Sequence, residues 1–211
     1  MLIFAGQGNP GPRHAGNRHN IGFMAVDEIA RRWRFGAERS KFQSLIREGE
    51  IETPDGAVKV LIMKPQTFYN ETGRAIGEAL KFYKVETTDL VLFYDEIDLS
   101  PGRFRMKAGG GAAGNNGVRS VTAHIGPYFR RARLGVGHPG HKDRVMGHVL
   151  SDFHKVDQAW LADLLRAVAE AAPILAAGED ERYQGEVMRL APAEKADPRK
   201  TAPPNSKLGE D

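Results

Sequence analysis

The run Asp89-Leu90-Val91-Leu92-Phe93-Tyr94 is apolar at every position after the first, and it narrows the possible folds sharply. A strand sends successive side chains to opposite faces, so one that is apolar throughout must be covered on both. Helices packed on either side of a central sheet supply that cover. The rest of the chain offers the parts. Leu2–Ala5 reads as a strand running into the Gly/Pro-rich loop Gly6–Arg18. A helix follows, with Asn20 as its cap and Val26, Ile29, Ala30 and Trp33 along one stripe. Ser44–Glu52 and Ala57–Met63, parted by Pro54-Asp55-Gly56, read as a hairpin, and a second helix carries Ile76, Leu80 and Tyr83.

Further along come a strand near Arg103–Lys107, a glycine-rich loop over Gly109–Gly117 and a short helix with Val118, Val121 and Ile125. Arg131–Val136 alternates, with Ala132, Leu134 and Val136 on one side, which predicts Arg131 and Arg133 together on the exposed side of a strand. A final helix is expected from about Val156 to Ala177, with Trp160, Leu164, Val168 and Leu175 inward. The expected fold is α/β: a single compact domain over residues 1–190, with a mixed β-sheet flanked by helices as a three-layer sandwich. From Ala191 to Asp211 the chain is rich in Pro, Ala and charge, without aromatic residues, and reads as a disordered tail.

The chain has no cysteine, which excludes disulfides and thiolate metal sites. The apolar run at Leu2–Ala5 is too short for a signal or a membrane span, so a cytoplasmic location with no membrane partner is expected. The formal charge is +3, yet Arg103–Arg144 holds nine Lys and Arg against the single acid Asp143. Such a local excess favours a polyanion, nucleic acid first, while a solvated basic face fits the charge equally well.

Two glycine motifs carry less than their spacing promises. Gly6-Gln7-Gly8-Asn9-Pro10-Gly11 fits a dinucleotide fingerprint, but Pro10 and Pro12 prolong the loop and the helix begins only near Asn20. The 109–117 loop lacks the Lys-Ser/Thr ending of a P-loop. His19 sits in a loop at the end of the first strand, and Asp95 ends the buried strand, at the kind of sheet edge where α/β folds collect catalytic groups. Asn9, Asn70 and Asn116 also lie in loops at the ends of apolar segments, and an amide both donates and accepts. Taken singly, each of these residues is an ordinary turn or capping residue. Together they make a polar site without a protein nucleophile, since neither G-x-S-x-G nor H-E-x-x-H appears. What such a site can do is activate water.

These residues fall into six ordered blocks: Gly8-Asn9-Pro10-Gly11, Arg18-His19-Asn20, Lys64 through Asn70, Asp95 through Leu99, Gly109 through Gly117, and Gly135 through Gly140. In that order they resemble bacterial-type peptidyl-tRNA hydrolase. The resemblance implies a monomer, with neither metal nor cofactor, that hydrolyses the ester between a peptide and the 3′ adenosine of tRNA. It implies that His19 is the base and Asp95 its orienting partner. Asn9, Asn70 and Asn116 would hold peptide and ester, Phe68 would line the peptide groove, and Lys107 and Arg133 would grip tRNA phosphate. It also implies a mobile lid over Gly137–Phe153. The chain departs from the family pattern at His14, where a tyrosine is usual and which is assigned to substrate binding here. It departs again at Asn115, where a histidine is common, and at Phe93-Tyr94, where a histidine often sits. Two competing readings are a non-catalytic RNA-binding relative using the basic face and a nicotinamide oxidoreductase resting on the first glycine loop.

Overall fold

A computed structural model describes residues 1–193 of the chain. Seven strands form one sheet: β1 (Leu2–Gly6), β2 (Arg39–Lys41), β3 (Ser44–Thr53), β4 (Gly56–Pro65), β5 (Leu90–Glu96), β6 (Phe104–Ala108) and β7 (Arg130–Gly135). Their order is β2-β3-β4-β1-β5-β7-β6. The inner four, β4, β1, β5 and β7, are parallel, and antiparallel pairings add β3 and β2 on one side and β6 on the other. The sheet is therefore mixed, and the carboxyl ends of four strands open on one edge.

The apolar run of β5 is covered on both sides. Val91 and Phe93 join Phe4, Ile62 and Leu134 beneath α1 (Ile21–Arg32), α5 (Gln158–Glu170), α6 (Ala172–Ala176) and α7 (Asp180–Leu190). Leu90, Leu92 and Tyr94 join Ile3, Ala5 and Leu61 under α2 (Thr72–Tyr83) and α3 (Asn116–Ile125). A shorter helix, α4 (Val145–Val149), stands at the carboxyl edge. The predicted three layers are present. α1 lies against the sheet at a glycine contact: a Cβ on Gly6 would strike the Gly22 carbonyl, and one on Gly22 would strike Phe93 O. That close approach brings the start of α1 directly over the ends of β1 and β5.

Several details differ from the sequence reading. Asn20 precedes α1, but its side chain makes no cap bond and is turned toward Asn9 instead. The expected final helix is divided into α5 and α6, and a further helix, α7, follows beyond its predicted end. Pro173, which has no N–H to give, sits in the first turn of α6, and Gly178 at φ +82° turns the chain into α7. α7 escapes an apolar pattern because only Tyr183 and Val187 are buried on it. It is held by the Tyr183 hydroxyl on Val168 O at 3.0 Å and by Arg130 Nε on Asp180 at 3.0 and 3.1 Å. Arg131 is not on an exposed side. It is 1% accessible, and Arg133 is half-buried. The tail was expected from Ala191, yet Ala191 packs in the core. The remainder of that expectation, residues 194–211, lies outside the described residues.

Burial holds the Tyr183 phenol well above its ordinary range and pushes Tyr94 up to about 12. Each folded-state value exceeds the unfolded one, so this contribution to stability is complete below the unfolded value of about 10 and is lost as pH rises through the folded one. The midpoint of thermal unfolding should therefore fall steadily above about pH 10. Tyr183→Phe, tracked by circular dichroism, should flatten that decline.

Candidate active site

The carboxyl edge gathers five chain segments. The turn Arg18–Asn20, between β1 and α1, carries His19. Its position is fixed from both sides. Asn20 Oδ1 accepts Asn9 N–H at 2.9 Å and its Nδ2 donates to Asn9 O at 2.9 Å, which closes the loop. Arg18 is buried and ties the turn to a segment more than 130 residues away. One of its terminal nitrogens donates to Ser151 Oγ at 2.8 Å and Asp152 O at 2.7 Å, and the other to Asp157 Oδ2 at 2.8 Å. Main-chain bonds from Arg18 N to Ser151 O and from Phe153 N to Gly16 O complete the junction.

Asp95, 3% accessible at the end of β5, receives His19 Nδ1 on Oδ2 at 2.8 Å. A carboxylate accepts only, so Nδ1 is the donor, and in the neutral ring the lone pair is the one on Nε2. Nε2 has no hydrogen-bond partner among the described residues. The second oxygen, Oδ1, receives the Tyr69 hydroxyl at 2.7 Å, and Asn115 Nδ2 donates to that hydroxyl oxygen at 2.9 Å. Asn115 Oδ1 meanwhile caps α3 at Val118 N, 3.0 Å away. The imidazole lies flat on the Tyr69 ring, with centroids 3.6 Å apart and planes 9° from parallel. Burial, then the neighbouring Asp95 charge, holds the Tyr69 phenol well above its ordinary range. It is a permanent donor at working pH.

These groups face a cleft of about 650 Å³. Asn9, His19, Phe68, Asn70, Asp95 and Asn116, six of the residues singled out from sequence, line it. Asn9 Oδ1 is already committed to Tyr69 N at 3.2 Å, which leaves its amide nitrogen for other partners. Phe68 is 72% exposed, an apolar surface without a partner in the fold. Met146, Val149 and Leu150, from α4 and the residue after it, add further apolar lining from within the segment expected as a lid. An open cleft with one apolar side and a row of neutral amides fits an extended chain bearing peptide groups.

Three features singled out from sequence have partners within the fold. His14 is not among the cleft-lining residues; its Nδ1 pairs with Asn17 Oδ1 at 2.9 Å, bracing the loop. Arg133 is not a free cation, for its Nε engages Glu96 Oε2 at 2.9 Å. The glycine loop is held as a turn. Arg131 donates to Gly111 O at 2.7 Å and Gly110 O at 2.6 Å, while Ala113 through Asn116 reach the cleft. Lys107 is exposed on edge strand β6. Lys107 pairs with Arg131 and Arg105 with Arg133, which places all four cations on one face of β6 and β7. The loop at Gly8–Gly11 does not open an α-helix in the manner of a dinucleotide site; it runs into a short 3-10 turn at Pro12–His14 and is closed by the bonds between Asn20 and Asn9. Tyr69 and Asn115 are site members to which the sequence assigned no role. Tyr69 stands next to Asn70, and only the fold reveals that its hydroxyl reaches Asp95. Among the described residues no three His, Asp or Glu side chains gather as a metal site, and no helix is long and apolar enough to cross a membrane.

Comparison with known proteins agrees with this geometry. The family model described as peptidyl-tRNA hydrolase matches residues 3–196. A protein of that name from Phenylobacterium zucineum is 71% identical over 202 residues, which span 96% of this chain and 97% of that one. Another, from Caulobacter vibrioides, is 64% identical over 96% of this chain and 98% of its own length. The crystal structure of peptidyl-tRNA hydrolase from Acinetobacter baumannii superposes with a TM-score of 0.84 at 33% identity, covering 92% of this chain and 97% of that one. The chain belongs to the peptidyl-tRNA hydrolase family.

Proposed function

We propose that this chain hydrolyses the ester joining a peptide to the 3′ adenosine of tRNA, with His19 as the general base. The observation that carries the reading is the His19–Asp95 contact at 2.8 Å, with Nε2 left unpartnered on a residue that lines the cleft. Nε2 takes a proton from water as the oxygen attacks the ester carbonyl. The tetrahedral oxyanion is met by an amide donor such as Asn70, a contact worth about 3–4 kcal/mol in comparable sites. The imidazolium, stabilised by Asp95, then returns the proton to the departing ribose oxygen. Peptide and free tRNA leave. The steps require neither metal nor cofactor.

Selectivity in this reading has two sources. Asn9 and Asn116 meet the peptide group of the substrate, which a free aminoacyl-tRNA lacks, while Phe68 and the α4 wall receive the side chains. Lys107 and Arg133 hold tRNA phosphate, with Arg133 drawing on the amino groups that Glu96 leaves open. In this reading the protein acts as a monomer in the cytoplasm, as the family resemblance implies. Residues 1–190 act as the catalytic domain. The segment Gly137–Phe153 forms the outer side of the cleft, and its end is pinned by Arg18 at Ser151 and Asp152. Any lid motion therefore belongs to the part before Ser151.

Turnover of N-blocked against unblocked aminoacyl-tRNA tests the function directly. The blocked substrate should be cleaved and the free one spared, while a non-catalytic RNA-binding relative would cleave neither. His19→Ala should lower turnover by about two to four decades with tRNA binding nearly intact. Near-normal activity in that variant would remove His19 as the base. Arg133→Ala should chiefly raise KM and reduce the slope of binding against log salt by about one. A slope equal to the parent's would count against a phosphate contact.

A further inference from the structure

The mechanism above makes no use of the Tyr69 hydroxyl or the Asn115 amide, yet both are directed at Asp95. The hydroxyl occupies Oδ1 at 2.7 Å while the imidazole occupies Oδ2 at 2.8 Å, and Asn115 donates into the same hydroxyl at 2.9 Å. We infer that Tyr69 and Asn115 are positioning residues which, acting through Asp95, set the pH at which His19 becomes a working base. The inference rests on the reading of His19 as that base.

The physical argument concerns how one carboxylate divides its charge. A donor on Oδ1 draws electron density away from Oδ2 and so weakens the pull that Oδ2 exerts on the proton of an imidazolium. Asn115 reinforces this, because a hydroxyl that accepts a hydrogen bond becomes a better donor. Without the phenol, Asp95 would hold the imidazolium more strongly, and the neutral base would appear only at higher pH. The phenol cannot default by ionising, since burial and the Asp95 charge hold it well above its ordinary range.

No other charged group makes a hydrogen bond to the ring among the described residues. Arg18, on the same turn, is engaged by Ser151, Asp152 and Asp157. Glu96, His138 and Lys142 border the same cleft. Glu96 is paired with Arg133, and His138 Nδ1 accepts Gly140 N at 3.0 Å. The ring stack has a separate role. At 3.6 Å and 9° it fixes the plane of the imidazole, and a phenylalanine would preserve it. Tyr69→Phe therefore isolates the hydroxyl. Asn115→Ser isolates the amide donor, because serine still caps a helix.

The experiment follows kcat/KM against pH for the parent enzyme, Tyr69→Phe and Asn115→Ser on N-blocked aminoacyl-tRNA. The His19 ring proton is titrated in parallel by NMR in the resting enzyme. In Tyr69→Phe both midpoints should rise by about half to one pH unit, so that the loss of rate near pH 6 exceeds the loss near pH 8 by about two- to sixfold. Asn115→Ser should move both midpoints the same way by less. A purely structural role would lower the rate equally at all pH values and leave the ring titration unmoved, and that result overturns the inference, as does a downward shift. If Tyr69→Phe fails to fold, the ring titration of Asn115→Ser decides alone, an unmoved midpoint again counting against. Turnover retained by His19→Ala would sink the reading of the base. The ring titration still judges the hold of Tyr69 on the imidazole whichever way that falls.

Discussion

A carboxylate that is 3% accessible to solvent has to be answered by donors, and Asp95 organises the carboxyl edge around that need. Burying an unpaired charge is among the costliest events in folding. Here the charge is met by an imidazole from the segment after β1 and a phenol from the segment after β4. An amide at the start of α3 supports the phenol in turn. Three segments distant in sequence must therefore arrive together before the charge is satisfied. The requirement that stabilises this corner is the same one that aligns the imidazole, so structure and chemistry share a single set of contacts.

The basic residues divide into two populations that counting charge cannot separate. Arg18, Arg130 and Arg131 are fasteners: each guanidinium serves carbonyls or carboxylates within the fold, using the planar fork that lets arginine engage several acceptors at once. Lys107, Arg105 and the outer part of Arg133 remain at the surface of β6 and β7. The excess between Arg103 and Arg144 is thus partly internal, and the field offered to a polyanion is smaller than the nine cations imply.

The layers were legible because hydrophobic periodicity reports burial directly. β5 required cover on both faces, and the stripes of α1 and α2 supplied it. α7 was not legible, since two buried residues on a polar helix leave little pattern and its anchors are hydrogen bonds. Likewise the alternation in β7 correctly placed Arg131 opposite Ala132, but it could not show that the glycine loop folds over that face and buries the guanidinium. In the site, the ordered motifs marked His19, Asp95 and the three asparagines. The contribution of Tyr69 depends on a contact across 26 positions, and His14 looked equally suited to the cleft until its pairing with Asn17 was visible.

The bond network of Arg18 also bears on how such a protein can diverge. The stretch from Gly137 to Leu150 is anchored independently at each end, by Gly137 N on Leu99 O at 2.9 Å and by the Arg18 contacts to Ser151 and Asp152. Changes of side chain there alter the apolar lining of the cleft, while the contacts that hold His19 to Asp95 come from other segments. Peptide tolerance and hydrolytic competence are thereby free to evolve on separate tracks.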